Sequence, residues 1–329
     1  MSAVTAAPVA PAGAGTIGGR VLNGTHRQRP VAGQEVLLLR MGAGGPISTV
    51  AKTDAGGRFQ FDGLAADAKI AYVLATRYQR ADYVSDPLRF SASRTPLTAD
   101  LVVFESTTER PALLHRYRIV IIEKVTPGVI DVRELVDVAN PTERTYLGEP
   151  TGVDRRVTVR LPLPPGASEV RILRGAAPTQ FSGGLWDTLP VTPGVRQIAM
   201  SYRVRYWGAS AALRWSIDVP TGSLDVFLPE EKARATGIGL QEKPPGTLRG
   251  QRFVRLGAEN LARGRDVAVR LSGLPANYRP LTRAVAAGLG LVLFGGLLWA
   301  IVRNRAAGRP GEGADPEVSR VGPSGSPPR

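Results

Sequence analysis

The chain has 329 residues, enough for two ordinary domains, and it contains no cysteine and only two histidines. This composition excludes disulfides, thiolate metal sites and a cysteine nucleophile, so we expect no metal and no cofactor. The formal net charge is +14, but 37 of the 42 basic residues are Arg, which is typical of a GC-rich genome. Because no helix-turn-helix, zinc-finger or RNA-binding signature accompanies this charge, we do not expect nucleic-acid binding.

The N-terminal residues 1–14 are rich in Ala, Pro and Gly, and we interpret them as disordered. They lack the basic segment with which a signal peptide begins. They look like the small-residue stretch that follows such a peptide, which suggests that the true start lies further upstream. Short alternating apolar runs separated by turn residues then extend from Gly15 to Ser106. This rhythm predicts a β-sandwich.

The stretch TDAGGRFQFDGL, Thr53 to Leu64, is the most informative turn in this region. A calcium loop would need further carboxylates at alternating positions, and a phosphate loop would need a Lys and a following helix. After Asp54 the next carboxylate is Asp62, and the residues between them contain no Lys and show a strand pattern, not a helix pattern. We therefore predict a hairpin turn, with Asp54 accepting backbone hydrogen bonds and Gly56-Gly57 supplying positive φ. The next two aromatic residues, two positions apart, are predicted to point into the core.

The motifs of this first region resemble a known domain family. They read G-x-V-x-N-G-T, P-V-A-G-Q-E-V-x-L, T-D-A-x-G-x-F-x-F-x-G-L and Y-x-L-A-T-x-Y. The pattern looks like the carboxypeptidase regulatory-like domain, over residues 15–106. The resemblance implies a prealbumin-like, seven-stranded β-sandwich of the kind found in bacterial envelope proteins. It implies a spacer or interaction module and brings no catalytic residues.

A polar segment with a Pro, residues 107–113, breaks the strand pattern and predicts a linker. About nine further alternating or short apolar runs follow over residues 114–275, separated by Pro and Gly turns. They predict a second β-sandwich. This part is similar to a domain that often follows the first type in bacterial membrane proteins, a similarity that implies no particular function.

The stretch SYRVRYWGASAALRWS contains a candidate binding face. Alternation places Arg203, Arg205 and Trp207 on one face of a strand. Together with Trp215 on the next strand and Trp186 nearby in the sequence, this face would stack against sugar rings. The alternative is cation–π packing on a solvated face, with the other two tryptophans in the core.

A second candidate is a group of arginines that precedes the C-terminal apolar segment. They would contact anionic lipid headgroups, or they are the solvent side of ordinary strands. The group consists of Arg249, Arg252, Arg255, Arg263, Arg265 and Arg270.

The remaining titratable residues do not form a catalytic motif. The acidic pairs Glu230-Glu231 and Asp131/Glu134 are predicted to lie in loops or on outward faces, with no nucleophile motif beside them. His115, flanked by an Arg at the domain junction, is predicted to be a surface residue. We therefore do not expect an enzyme.

The run AVAAGLGLVLFGGLLWAIV, Ala284 to Val302, has 19 residues without a charge. As a helix it would be about 28 Å long, close to the hydrocarbon thickness of a bilayer. Arginines flank it on both sides, so we predict one transmembrane helix at 284–302. The Pro/Gly/Ser-rich residues 303–329 are predicted to be a disordered basic tail. The arginine counts on the two sides do not decide the orientation, and we expect the bulk outside the cytoplasm with the C-terminal tail inside. The alternative is a tail-anchored protein whose bulk lies in the cytoplasm.

These predictions combine into an all-β protein with two tandem β-sandwich (Ig/prealbumin-like) domains, one transmembrane helix and a disordered tail. We expect a non-enzymatic, membrane-anchored envelope protein whose sandwiches mediate protein interaction or assembly. Its partners would be envelope proteins or cell-wall glycans, and the sequence leaves the oligomeric state open. The first alternative is a carbohydrate- or peptidoglycan-binding module that uses the face with Trp207. A carboxylate-based glycosidase is the last, since it needs two carboxylates facing each other across a cleft.

Overall fold

A computed structural model describes residues 14–42, 47–91, 96–151, 156–181, 183–231, 234–248 and 250–277. The described part is almost entirely β-strand. Within it, no helix has the length and apolar character needed to cross a bilayer. The predicted span at 284–302, the predicted tail at 303–329 and all but the last residue of the predicted disordered segment 1–14 lie outside the described residues. That last residue, Ala14, begins the first strand.

The first part of the chain contains ten described strands and one 3-10 helix. The helix, Gly24–His26, follows Asn23, whose side chain accepts a hydrogen bond from the backbone N–H of Thr25. The strands are β1 (Ala14–Asn23), β2 (Arg29–Pro30), β3 (Glu35–Met41), β4 (Ile47–Lys52), β5 (Arg58–Ala65), β6 (Ala71–Tyr78), β7 (Ala81–Val84), β8 (Leu97–Thr98), β9 (Leu101–Val103) and β10 (Ser106–Thr107).

Two sheets enclose the first core. One is centred on β1, which pairs with β2, β5, β8 and β9, and the other has the strand order β4-β3-β6-β7. Alternate residues of both sheets point inward, so Phe59 and Phe61 are buried as predicted, against Val36, Leu38 and Leu74. This arrangement is a β-sandwich.

The turn that follows β4 differs from the prediction. Asp54 accepts backbone hydrogen bonds from Gly56 and Arg58 at 2.8 Å each, as expected, and the positive φ (+71°) falls on Gly57. A Cβ on Gly57 would lie 2.9 Å from the carbonyl oxygen of Val21. However, β4 pairs with β3 and β5 pairs with β1, so the turn crosses between sheets and the predicted hairpin is wrong. Tight turns use the same residues in both situations.

The second part of the chain contains sixteen described strands. They are β11 (Leu114–Thr126), β12 (Val129–Asn140), β13 (Thr145–Tyr146), β14 (Glu149–Pro150), β15 (Arg156–Val157), β16 (Val159–Pro162), β17 (Ala167–Arg174), β18 (Pro178–Phe181), β19 (Gly184–Asp187), β20 (Gly194–Arg205), β21 (Gly208–Ser216), β22 (Thr221–Pro229), β23 (Arg234–Ile238), β24 (Gln241–Leu248), β25 (Gln251–Leu261) and β26 (Asp266–Asn277).

One large sheet dominates this part, with the order β17-β20-β12-β11-β22-β25-β24. The small sheets β21-β26-β23 and β16-β19-β18 contribute to the same core as its inner face. Trp215 of a small sheet is fully buried and donates a hydrogen bond to the hydroxyl of Tyr202 on the large sheet (3.3 Å). A second β-sandwich results, with more strands than the nine predicted.

The additional strands are those that lack an alternating apolar pattern. β24 contains Pro244 and Pro245, which cannot donate to a ladder, and it forms the edge of the large sheet with a register shift between Lys243 and Gly246. β13 to β15 have two residues each. Strands of this kind give no periodicity that a sequence reader can detect.

The two sandwiches are joined by direct contacts. β10 of the first part pairs in parallel with β13 of the second, and Leu147 belongs to the first hydrophobic core although it follows the predicted linker by 34 positions in sequence. The Tyr83 hydroxyl lies 2.8 Å from the Thr145 hydroxyl, and Thr25 donates to the carbonyl oxygen of Glu143 (2.6 Å). Residues 108–113 themselves have no regular structure. Residues 14–277 therefore belong to one compact unit.

Candidate interaction surfaces

The predicted face of Arg203, Arg205 and Trp207 lies on the outside of the large sheet, at the end of β20. The alternation is as predicted, because Tyr202 is buried and both arginines are exposed. Arg203 is not free, since its Nε donates to Asp131 (2.8 Å) and its Nη1 to Glu169 (2.7 Å). These carboxylates raise the pKa of Arg203 and balance its charge.

The three tryptophans of this region do not come together. Trp207 is 64% exposed. Trp215 is buried in the other sheet, because the chain leaves the large sheet between β20 and β21. Trp186 lies under the guanidinium of Arg160, whose central carbon is 5.0 Å from the ring centroid. The structure therefore places one exposed indole, and not a stacking platform, at the predicted site.

Five of the six predicted headgroup arginines lie in the part of the chain that the structure describes, spread over two sheets and a turn, and Arg249 lies outside it. Arg255 binds Asp225 through two hydrogen bonds of 3.0 Å, and Arg252 lies 3.4 Å from Glu230. The remaining three are exposed: Arg263 and Arg265 lie in the turn before β26, and Arg270 lies on that strand. This turn is more than about 30 Å of strand away from Asn277, where the described chain ends. The group does not form one patch.

The acidic pair Asp131/Glu134 differs from the prediction. Glu134 is fully buried, so its predicted outward position is wrong. The two residues are three positions apart on β12 and therefore point to opposite faces of the sheet, where they cannot act on one substrate.

The buried Glu134 belongs to a polar cluster inside the second core. Its Oε1 accepts from Arg118 Nε at 2.5 Å, and its Oε2 accepts from the Tyr202 hydroxyl at 2.8 Å. Arg118 is 1% exposed and also donates to the carbonyl oxygen of Pro162 (2.8 Å). Burial is the main cause that raises the pKa of Tyr202, followed by the Glu134 carboxylate. The cluster connects β11, β12, β16 and β20, which is a structural role.

His115 is also buried, at 1% exposure, so the prediction of a surface residue is wrong. The ladder between β11 and β12 shifts between His115 and Arg118, and such a bulge turns the preceding residues to the other face. Burial, and then the nearby Arg118 charge, lower the pKa of His115 from 6.5 to about 3. The ring is therefore neutral at physiological pH.

Metal ligands are not clustered in the part of the chain that the structure describes. No group of three or more His, Asp or Glu side chains there has the spacing to hold an ion. The acidic residues near the depression of about 410 Å³ beside Arg203 are instead paired with arginines, as in the 2.7 Å contact between Glu123 and Arg133.

An apolar surface that the sequence analysis did not identify lies on the first sandwich. The outward face of the sheet β4-β3-β6-β7 carries a row of four directly paired residues, Val50, Leu37, Ala75 and Val84. Val50 is 57% exposed and Val84 is 62% exposed. Leu39, also outward, pairs with Val73 in the next row and extends the apolar area. We call this surface the outer apolar face.

A charged row borders the outer apolar face on one side. Lys52 lies beside Glu35 (3.5 Å), and Arg77 lies beside Asp82 (3.4 Å). The register Leu37↔Ala75, extended by two places, puts Glu35 beside Arg77. The four charges therefore alternate in sign across the four strands. The two rows, apart from Val84, line a shallow depression of about 670 Å³.

A sequence signal for this face exists. Solvated sheet faces normally alternate with the core face, so a strand reads apolar, polar, apolar. β3 instead has three consecutive leucines, Leu37 to Leu39, and β6 has Val73, Leu74 and Ala75 in succession. In both strands the middle residue faces the core and its two neighbours form the outer apolar face.

Comparisons with known proteins place few limits on this chain. No protein-family model and no curated protein matches it, so the resemblance to a carboxypeptidase regulatory-like domain has no support from a family match. Among solved structures, the M1 zinc metallopeptidase of Deinococcus radiodurans matches with 10% identity and a TM-score of 0.30, over 49% of this chain and 42% of that one. The chain thus spans less than half the length of that enzyme.

Two pilins of Corynebacterium diphtheriae match over more of the chain. The major pilin SpaD has 12% identity and a TM-score of 0.22, covering 83% of this chain and 86% of its own. The major pilin SpaA has 12% identity and a TM-score of 0.21, covering 79% and 84%. TM-scores this low carry no argument about function, and the assignment of two β-sandwiches rests on the strand pairing described above.

Proposed function

We propose that this chain is a non-enzymatic, membrane-anchored protein of a bacterial envelope whose β-sandwiches mediate protein assembly outside the cytoplasm. The observation that carries the assembly role is the outer apolar face. An apolar row that crosses all four strands, with Val50 and Val84 more than half exposed, is stabilised when another surface removes it from water.

The contacts between the sandwiches support a spacer of defined geometry. Leu147 inserts into the first core from the second part of the chain, and the pair Tyr83/Thr145 adds a hydrogen bond beside it. A face held in this way is presented at a fixed orientation. Binding then costs less ordering entropy than it would for a domain on a flexible linker.

The apolar run at 284–302 supports the membrane anchor. Asn277 is paired with Gly208, directly after the exposed Trp207, and the Tyr206 hydroxyl donates to the carbonyl oxygen of Pro275 (2.7 Å). Only seven positions separate Asn277 from Ala284, at most about 25 Å of chain. In our proposal the membrane anchor follows this end of the second sandwich in the chain.

Protease protection in intact spheroplasts tests the location, with an epitope tag fused after Arg329. We expect external protease to degrade both sandwiches and to leave a tagged membrane stub. Sandwiches that resist digestion until the membrane is lysed would place them in the cytoplasm and contradict this part of the proposal.

The size of the native complex in mildly solubilised membranes tests the assembly role. Val84→Arg puts a charge on the outer apolar face and should shift the full chain to a smaller complex. Val102→Arg is the matched control, because Val102 is a 39% exposed valine on β9, in the other sheet of the same sandwich. Equal complex sizes for both variants and the wild type would remove the outer apolar face from the proposal.

A further inference from the structure

We propose that the outer apolar face binds the same face of a second copy of this chain, around a two-fold axis that runs parallel to the strands, midway between β3 and β6. The inference rests on the proposed assembly function and names the partner. The two faces would stack as aligned sheets about 10 Å apart. Such a contact is isologous, so it closes as a dimer.

The apolar row fits this symmetry. The axis places β4 of one copy over β7 of the other, and β3 over β6. Val50 then lies over Val84, two exposed residues of the same type, and Leu37 lies over the small Ala75. A large side chain opposite a small one allows the two surfaces to interdigitate.

The charged row gives the argument for a second copy. Its signs read positive, negative, positive, negative in the order Lys52, Glu35, Arg77 and Asp82. The same axis places Lys52 over Asp82 of the other copy and Glu35 over Arg77. All four contacts across the dimer are therefore between opposite charges, which is a property of an alternating row with an even number of members.

The charged row also selects this orientation over others. A two-fold axis that runs along the charged row itself would place each charge over the same residue of the other copy, which is repulsive. An axis along the apolar row would bury the charges of one copy against the row of Leu39 and Val73. Repulsive or desolvated charges disfavour both arrangements.

The two rows contribute differently to the association. The four charged side chains are between 66% and 73% exposed, and exposed ion pairs contribute little to affinity. Removal of the apolar row from water supplies most of the driving force. The charges fix the register and the mutual orientation, as in other complementary interfaces.

Thiol crosslinking on the full chain tests the inference directly, because the wild-type chain has no cysteine. Since the stacked sheets would lie about 10 Å apart, which is too far for a direct disulfide, the reagent is a bifunctional thiol crosslinker whose spacer spans about that distance. We expect a mixture of the variants Val50→Cys and Val84→Cys, purified in detergent and treated with this reagent, to give mainly the mixed crosslinked dimer. Each variant alone should remain largely uncrosslinked.

A mixture of Val50→Cys with Val102→Cys is the matched control and should give only background crosslinking. Mixed crosslinking of Val50→Cys and Val84→Cys at the control level would overturn the second-copy inference. If protease protection and complex size still behave as proposed above, the outer apolar face then binds a different protein, and the proposed function survives. Crosslinking of Val84→Cys with itself as efficiently as with Val50→Cys would overturn the two-fold axis.

Discussion

The two sandwiches differ in where their polar and apolar residues lie. The second buries an ion pair, Arg118–Glu134, in its core and covers its outer sheet face with paired charges such as Arg203–Asp131. The first has an apolar core and an apolar row on its outer face as well. The second sandwich thus pairs these charged side chains with one another, while the first leaves apolar surface for another molecule.

Because of this difference, the residues that determine folding stability and those that determine association lie in different sandwiches. A buried ion pair is not accessible to another molecule, but it stabilises the packing of the strands that contribute to it. An exposed apolar row adds little to the stability of its own domain and is stabilising only when it is covered. We therefore expect substitutions in the second core to change unfolding, and substitutions on the outer apolar face to change association.

The largest loss of stability is expected for Glu134→Ala. It leaves the Arg118 charge buried without its partner, which typically costs about 3–5 kcal/mol of unfolding free energy. Denaturant unfolding of the full chain in detergent measures it. Glu123→Ala, which breaks the exposed pair with Arg133, is the matched control and should cost about 1 kcal/mol or less. Equal losses in the two variants would mean that the buried ion pair contributes no more to the unfolding free energy than the exposed one.

A smaller loss is expected for Leu147→Ala, which removes a side chain of the second part from the first core. Truncation of a buried Leu costs about 2–5 kcal/mol, and we expect the lower part of that range at this junction. Because the contact couples the sandwiches, thermal unfolding should also separate into two transitions. Leu173→Ala on β17, where Leu173 is 49% exposed, is the control. A single transition in both variants would show that other contacts couple the domains.

Acid should destabilise the protein through His115. Its pKa is lowered in the folded state, so its contribution is fully present above pH 6.5 and is lost as the pH falls toward about 3. The unfolding free energy should fall by up to about 1.4 kcal/mol per pH unit in that window. His115→Gln should flatten this part of the pH profile, whereas His26→Gln retains His115 and should keep it. A profile unchanged in His115→Gln would contradict the assignment.

The smallest effect on unfolding is expected for Leu37→Ala on the outer apolar face, about 1 kcal/mol or less. Its neighbour Leu38 is 2% exposed and faces the core, so Leu38→Ala should cost about 2–5 kcal/mol. Unfolding of the two variants, under conditions in which the chain is monomeric, measures the contrast. Similar costs for both would mean that the face is already covered within the chain.

The sequence predicts much of the first sandwich, because strands such as β5 alternate cleanly and place Phe59 and Phe61 in the core. It does not predict which strands pair, and the crossing turn after Asp54 therefore reads as a hairpin. The bulge near the start of β11 explains His115, since a one-residue shift reverses the buried face. Both errors concern strand register, which depends on how two strands pair and cannot be read from the sequence of one strand.

The candidate sites show the same limit. The alternation around Arg203 is visible in the sequence, but its ion pairs with Asp131 and Glu169 depend on two other strands. The outer apolar face needs four strands in register before its rows exist. In the sequence, only the consecutive apolar residues of β3 and β6 indicate this face, and such runs are equally typical of strands buried on both faces.

Sedimentation of charge-reversal variants tests the central claim, that the first sandwich associates through its outer face with a second copy, most directly. Lys52→Glu and Asp82→Lys each place like charges together across the proposed axis and should weaken the dimer of the full chain. The double variant restores opposite charges between copies, although within one chain its altered residues still lie beside Glu35 and Arg77, which carry the same charge signs. We predict that the double variant associates more tightly than either single variant. A double variant that associates more weakly than both would contradict the account.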